Sequence, residues 1–298
     1  MPRHLLTGAE LAPGELAGIL DHAAELKADP LCDRVLVGRT VALVFLKPST
    51  RTRVSFEAGI AELGGHPMVL RAEDLQLSRG ESVRDTALVL SRHVAAVGVR
   101  TGRDDFVAEL AGHATVPVVN MLTAGHHPCQ VLADLLTLRE AFGVLDGLKL
   151  AYVGDGNNVA RSLALIGPRA GVEVTVASPP GYELADPPAG TRLVPDPVEA
   201  VAGAHAIYTD VWVSMGDEAT ADARRAALAG YRVDDALLDH AAADAIALHC
   251  LPAHPGEEIS AEVLYGPRQR IWEQAENRRH AQKALLSFLV GAGAIASR

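Results

Sequence analysis

The chain has 298 residues, and at about 100–200 residues per domain this length predicts two domains. Apolar residues make up 49% and charged residues 21%, the balance of a globular protein rather than a disordered one. With 27 Lys+Arg against 37 Asp+Glu, the formal charge is −10, which repels phosphodiester backbones and argues against nucleic-acid binding. Three cysteines, Cys32, Cys129 and Cys250, are too few and too scattered for a disulfide framework or a zinc knuckle. They fit a reducing compartment. The first eight residues are too short and mixed for a leader, and the apolar stretch at 285–296 is interrupted by Gly291 and Gly293. The expectation is a soluble, cytoplasmic protein with no membrane partner, no metal and no cofactor.

In chain order, continuous apolar runs at 41–46, 95–99, 116–120, 148–153, 173–177, 206–209 and 245–248 predict short strands. They do not alternate in polarity, which is the pattern of strands buried on both faces. Amphipathic helices are predicted at 53–63, 82–93, 129–142 and 158–169, with a long final helix at about 273–290. Such alternation implies parallel sheets covered by helices, with ligands beyond the carboxyl ends of the strands. The fold class is therefore α/β: two domains, each a mostly parallel sheet flanked by helices, with the active site expected in the interdomain cleft. Gly143 ends a long helix and a strand begins after Asp146-Gly147. The expected division is 1–143, 144–272, and a C-terminal helix, 273–298, packing back on the first domain.

The first predicted strand runs into Lys47-Pro48-Ser49-Thr50-Arg51-Thr52-Arg53, with a helix expected from near Val54. A helix N-terminus offers unpaired N–H groups and partial positive charge to an anion. Here hydroxyls and two arginines are added, and the guanidinium fork matches phosphate oxygens in pairs. Ordinary capping by Ser49 or Thr50 is the competing interpretation, and Arg51 with Arg53 favours the anion site. The segment Ser49-Thr50-Arg51-Thr52-Arg53-Val54-Ser55-Phe56-Glu57 resembles the carbamoyl-phosphate loop of the aspartate/ornithine carbamoyltransferase family.

Four further segments match that family in order. Arg100, at the end of a strand and followed by Thr101-Gly102, is similar to an arginine that contacts phosphate and carbonyl oxygen. His127-Pro128-Cys129-Gln130 resembles the family's His-Pro-x-Gln motif, in which an imidazole polarises the carbonyl and the Gln accepts from the carbamoyl NH₂. His126, next door, is assigned no role. Asp210-Val211-Trp212-Val213-Ser214-Met215-Gly216 resembles an amino-acid loop of the ornithine-specific members. There Asp210 would hold an ammonium, with Ser214 and the Met215 backbone completing the site. His249-Cys250-Leu251-Pro252 resembles the ornithine-specific version of its position, with Cys250 near the δ-amine and the carbonyls of Cys250 and Leu251 accepting from the carbamoyl NH₂. The resemblance also implies that Arg278 contacts carbamoyl phosphate, that Asn158 binds the amino acid's α-substituents, and that Gln76 reaches carbamoyl phosphate in a neighbouring subunit.

Taken together, the resemblance implies a carbamoyltransferase. Arg51, Arg100, His127 and Cys250 are its expected catalytic residues. Carbamoyl phosphate would be bound by Ser49, Thr50, Arg51, Thr52, Gln76, Arg100, His127, Pro128, Cys129, Gln130, Cys250, Leu251 and Arg278. L-Ornithine would be bound by Asn158, Asp210, Ser214 and Met215. The reaction implied is carbamoyl transfer to the δ-amine of L-ornithine, giving L-citrulline and phosphate, in arginine biosynthesis or catabolism. A homotrimer, or a multiple of trimers with sites at subunit interfaces, is implied as well. Two roles stay open for Cys250, orienting the amine or taking its proton.

Three other functions compete. Gly154-Asp155-Gly156-Asn157-Asn158 suggests a dinucleotide turn, but Val159 stands at the third glycine position and Ser178 where an acidic ribose ligand is expected. A thiol hydrolase using Cys250 and a histidine is the second, and a non-catalytic phosphate-binding protein the third. Ser78 and Pro255 depart from the family pattern, which has glycine and commonly arginine there.

Overall fold

The computed structural model describes residues 2–214, 216 and 218–295. It divides into two compact units, residues 1–136 with 276–298, and residues 137–275. In the first unit the order is α1 (Pro13–Ala28), β1 (Thr40–Phe45), α2 (Thr50–Glu62), β2 (His66–Arg71), α3 (Val83–Leu90), β3 (Ala96–Arg100), α4 (Asp104–His113), β4 (Val118–Leu122) and α5 (Pro128–Phe142). In the second it is β5 (Lys149–Val153), α6 (Asn158–Ile166), β6 (Glu173–Ala177), β7 (Arg192–Val194), α7 (Pro197–Val201), β8 (Ala206–Thr209), α8 (Ala221–Leu228), α9 (Asp235–Leu238), β9 (Ile246–His249) and α10 (Ala261–Tyr265). Helix α11 (Ile271–Ile295) returns the chain to the first unit, as α5 carries it into the second.

Among the described residues, the first unit holds a parallel sheet in the order β2-β1-β3-β4 and the second a parallel sheet in the order β7-β6-β5-β8-β9. Both are α/β layers, as the continuous apolar runs require. The inner strands are buried along most of their length, as strands covered on both faces should be: residues 41–45 of β1, 96–99 of β3 and all of β8, and the edge strand β9 is buried as well. The first unit's core includes Val44, Val97, Val99, Phe106 and Leu110. That of the second includes Val153, Ile207, Leu238, Ile259 and Ile271.

Strand order reverses direction between β1 and β3 in one unit and between β5 and β8 in the other. At such a point the two connections leave to opposite sides, and the crevice opened beyond the strand ends is where ligands bind in open α/β sheets. The residues at or beyond those ends are Leu46 to Ser49 and the last residue of β3, Arg100, in the first unit, and Gly154 to Asn158 and Asp210 in the second.

Several elements differ from the sequence expectation. Helix α2 begins at Thr50 rather than near Val54, because Ser49 caps it by accepting from the Thr52 N–H at 3.3 Å. Arg51 and Arg53 therefore lie in the first helical turn. Helix α3 stops at Leu90, and α6 gives way at Ile166 to a 3₁₀ turn. Strands β2 and β7 were not predicted; each is a sheet edge with partly exposed side chains. No helix among the described residues is long and apolar enough to cross a membrane.

Candidate functional site

In the first unit, the hydroxyl of Thr52 is the meeting point of two arginines. Arg278, from α11, donates to Thr52 Oγ1 at 2.8 Å, and Arg100, from the end of β3, donates at 3.3 Å. Arg278 also donates to Gln130 Oε1, and Gln130 Nε2 donates to Asp134 Oδ1 at 2.8 Å. Thr52, His127, Gln130 and Arg278 are each at most 4% exposed. Guanidinium groups placed this deep need such partners, since an unpaired buried charge costs several kcal/mol. The bonds that satisfy them also fix the aim of the guanidinium planes.

His127 stands at the start of α5. Burial, then the positive charges of Arg278 and Arg100, hold its pKa well below the ordinary histidine value. The ring is neutral at pH 7 and can donate one N–H without a net charge. Pro128 follows as the first helical residue, where a missing N–H is tolerated. Cys129 is fully buried, its thiol directed to the Asn120 carbonyl at 3.4 Å, and burial pushes its pKa up to about 12. Its side chain is packing, which leaves its backbone for any ligand.

Ser49 is committed to the α2 cap, Thr50 is exposed, and Arg51 is half-buried on the first turn. Arg53 does not join the group: one helical turn along, Glu57 accepts from its Nε at 2.9 Å. Gln76 is exposed on a 3₁₀ turn (Gln76–Arg79), and its Oε1 accepts from Arg79 at 3.3 Å.

In the second unit the corresponding group is acidic. Asp210, 7% exposed, follows β8. Its Oδ1 accepts the Cys250 thiol at 2.9 Å and its Oδ2 the Asn157 amide at 2.8 Å. Asn157 is also the N-cap of α6, accepting from Val159 and Ala160. This residue was missed in the sequence, where the neighbouring Asn158 drew the assignment; an Asn directly before a helix was the available signal. Asn158 is the first residue of α6 and half-buried, as is Ser214 in the loop after Asp210. Met215 lies outside the described residues. Gly156 lets the 154–158 turn approach the backbone of Glu183 and Leu184 more closely than a Cβ would allow. The Asp155 carboxylate accepts from Arg224 at 2.9 Å, in a largely buried pair.

Cys250 and Leu251 are held from behind. The Leu251 N–H donates to His249 Nδ1 at 2.8 Å, and His249 Nε2 bonds Glu258 Oε1 at 3.0 Å, which fixes the Nε2–H tautomer. Leu251 has a φ of 59°, and its bond to Pro252 is cis. Glu258 is fully buried. Burial acts to raise its pKa, but hydrogen bonds from the His249 ring and from the His254 N–H outweigh this and hold it below the ordinary carboxylate value. Asp210, His249 and Cys250 each present a ligand atom within 4.8 Å of the others, a geometry open to a metal ion. Their bonds to one another and to Glu258 and Leu251 already occupy these atoms.

The comparisons with known proteins cover both units of the chain. Residues 3–140 match the carbamoyl-P binding domain of aspartate/ornithine carbamoyltransferase, and residues 146–289 match its Asp/Orn binding domain. An ornithine carbamoyltransferase of Acidothermus cellulolyticus is 58% identical over 98% of this chain and 98% of its own length. The solved ornithine carbamoyltransferase of Pyrococcus furiosus superposes with a TM-score of 0.92 at 46% identity, covering 97% of each chain. That of Thermus thermophilus gives 0.90 at 44% identity, over 97% of this chain and 99% of its own. Matched along both halves, the chain belongs to the aspartate/ornithine carbamoyltransferase family of enzymes.

Proposed function

We propose that the enzyme transfers the carbamoyl group of carbamoyl phosphate to the δ-amine of L-ornithine, releasing L-citrulline and phosphate. The observation that carries this reading is the Thr52 hydroxyl held by Arg100 and Arg278 beside a neutral His127. Carbamoyl phosphate is a small anion with a reactive carbonyl, and it needs a cationic seat together with donors aimed at the carbonyl oxygen. The amides and hydroxyls of Ser49, Thr50 and Thr52, with Arg51, Arg100 and Arg278, take the phosphate. Thr52, Arg100 and His127 face the carbonyl oxygen, where negative charge grows as the tetrahedral centre forms. Removing one such donor typically costs about 10²–10³-fold in rate. The Gln130 carbonyl and the backbone carbonyls of Cys250 and Leu251 accept from the carbamoyl NH₂, and the Pro128 and Cys129 backbone borders that group.

On the second substrate, Asp210 is the counter-charge for an ammonium, and Asn158, Ser214 and Met215 take the amino acid's remaining polar groups. An alkylammonium with a pKa near ~10.4 is under ~0.1% neutral at pH 7, so the amine must lose a proton before it attacks. Cys250, bonded to Asp210, orients that amine. The ammonium first gives up one proton to solvent; then a C–N bond forms, the C–O bond to phosphate breaks, and the second proton of the attacking nitrogen leaves with the phosphate. No covalent enzyme intermediate is required, which favours this reading over a thiol hydrolase.

We place the reaction in the cytoplasm, in arginine biosynthesis or, run in reverse as phosphorolysis of citrulline, in arginine catabolism. We also propose a trimer or a multiple of trimers, in which Gln76 serves a neighbouring subunit's site. Val54, Leu88 and Val89, which are 60%, 38% and 56% exposed, are apolar surface that such an assembly would cover. The deciding assay is citrulline formation from carbamoyl phosphate with L-ornithine, run beside aspartate, putrescine, acetylornithine and succinylornithine. Turnover with ornithine well above the others is expected. Preference for any other acceptor overturns the assignment.

A further inference from the structure

His126 has no role in the proposed reaction, yet it belongs to a bonded cluster at the edge of the first unit's site. Asp104, the first residue of α4, directs its carboxylate at residues 123–126, the connection that leads from β4 to His127. Thr123 Oγ1 donates to Asp104 Oδ1 at 2.5 Å, and the Gly125 N–H donates to Oδ2 at 2.9 Å. His126 Nδ1 lies 3.2 Å from Oδ1. A hydroxyl, a backbone amide and an imidazole from one short segment thus converge on a single carboxylate.

The segment is also closed on itself. The Thr123 N–H donates to the His126 carbonyl at 2.9 Å, and the His126 N–H donates to Thr123 Oγ1 at 3.2 Å. Thr123 is fully buried and receives Asn120 Nδ2 at 3.1 Å. At Gly125 a Cβ would come within 3.0 Å of both Asp104 carboxylate oxygens, so a side chain there would crowd the carboxylate. Burial acts to raise the Asp104 pKa, but the bonds from Thr123, His126 and Gly125 prevail and hold it below the ordinary value. The carboxylate is thus ionised at neutral pH, and His126 presents Nδ1–H to it.

Asp104 is placed to act on two donors of the site. Arg100 ends β3 four residues before it, and the Thr101 N–H ties that strand end to the Leu122 carbonyl at 3.0 Å. His127 follows directly after the segment that Asp104 binds. We propose that Asp104 is a positioning residue that cinches the 123–126 turn, so that His127 and Arg100 bear on the same carbonyl oxygen. The proposal rests on the assignment of His127 to that oxygen in the reaction above. Aim matters here, because displacing a catalytic group by about 1 Å can cost on the order of 10²-fold in rate.

The test uses the full-length chain with Asp104→Ala, Asp104→Asn, His126→Gln and the neighbouring Asp105→Asn. Asp105 is exposed and bonds Arg103. Asp104→Ala is expected to lower kcat on the order of 10²-fold, with the ornithine KM within about 2-fold of wild type. Asp104→Asn keeps one acceptor oxygen, enough for the Gly125 N–H but not also for Thr123, and should recover part of kcat, and Asp105→Asn should match wild type. A folded Asp104→Ala variant with wild-type kcat overturns the proposal. So does an equal loss in Asp104→Ala and Asp104→Asn with both KM values raised, which is the signature of general damage. Should the Ala variant not fold, Asp104→Asn and His126→Gln carry the comparison. The ring resonances of His127, followed by NMR with labelled histidine, read the geometry without turnover. They are expected to shift in the Asp104 variants, and unchanged resonances count against the proposal even if ornithine proves not to be the acceptor.

Discussion

In the first unit, two guanidinium groups share one threonine hydroxyl and act on a neutral imidazole; in the second, one carboxylate is held by an amide and a thiol. Both groups stand beyond the carboxyl ends of parallel strands, at the point where strand order reverses. The same backbone solution therefore carries opposite charges. The acceptors described for the arginines, Thr52 and Gln130, carry no charge. The donors described for Asp210, the Cys250 thiol and the Asn157 amide, carry none either.

The largest effect is expected on the cationic side. Arg278→Ala removes a buried cation and leaves Thr52 and Gln130 each short of a donor, so citrulline formation should fall at least about 10²–10³-fold. Equilibrium binding of carbamoyl phosphate should weaken in parallel. Near-normal binding by a folded variant would break the contrast, because the first unit's potential would then not depend on that arginine. The next effect belongs to the acidic side. Asp210→Asn keeps the shape but loses the charge, and a hydrogen bond to a charged group is worth about 1.5–3 kcal/mol. The ornithine KM should rise about 10–100-fold on that basis, with the KM for carbamoyl phosphate unchanged. Equal shifts in both KM values would mean that the two charges are not separable.

The smallest effect sharpens the acidic side. Glu258 has a folded pKa below its unfolded value of about 4.3. Its contribution is therefore complete above that value and is lost as pH falls through the folded pKa. Glu258→Gln should lower unfolding free energy at pH 7 by about 1–3 kcal/mol. The gap from wild type should close on acidification below about pH 4. Denaturant titrations at several pH values would show it, and a gap independent of pH would contradict the ionised Glu258.

The buried strands were legible because burial on both faces leaves a continuous apolar run, as in residues 41–45. Strand β2 was not, since its exposed and half-buried positions mix and Pro67 interrupts it. The three residues of β7 are too few for any period. At the proposed site, Arg51 drew notice from the residues themselves, at a strand-to-helix turn, whereas Arg100 and His127 taken alone suggest surface charge and a cap and were singled out by the resemblance to the family. Thr52 was readable as a hydroxyl in an anion loop, but its role as the shared acceptor depends on Arg278, 226 positions later. The Asp104 cluster was invisible for the same reason, its partners lying elsewhere in the chain, and Asn157 showed only its capping position, not its bond to Asp210. Arg53 shows the converse error, a charge credited to the site that helical spacing gives to Glu57.

The hydroxyl of Thr52 has a consequence of its own. An alcohol oxygen carries two lone pairs and one proton. With one lone pair facing Arg278 and the other facing Arg100, rotation of the O–H is confined and its hydrogen is turned away from both cations. The two arginines thereby act as a jig for a single hydrogen atom. A donor that in water would sample every direction is set in advance along one, so little reorganisation remains when an oxygen beside it becomes negative.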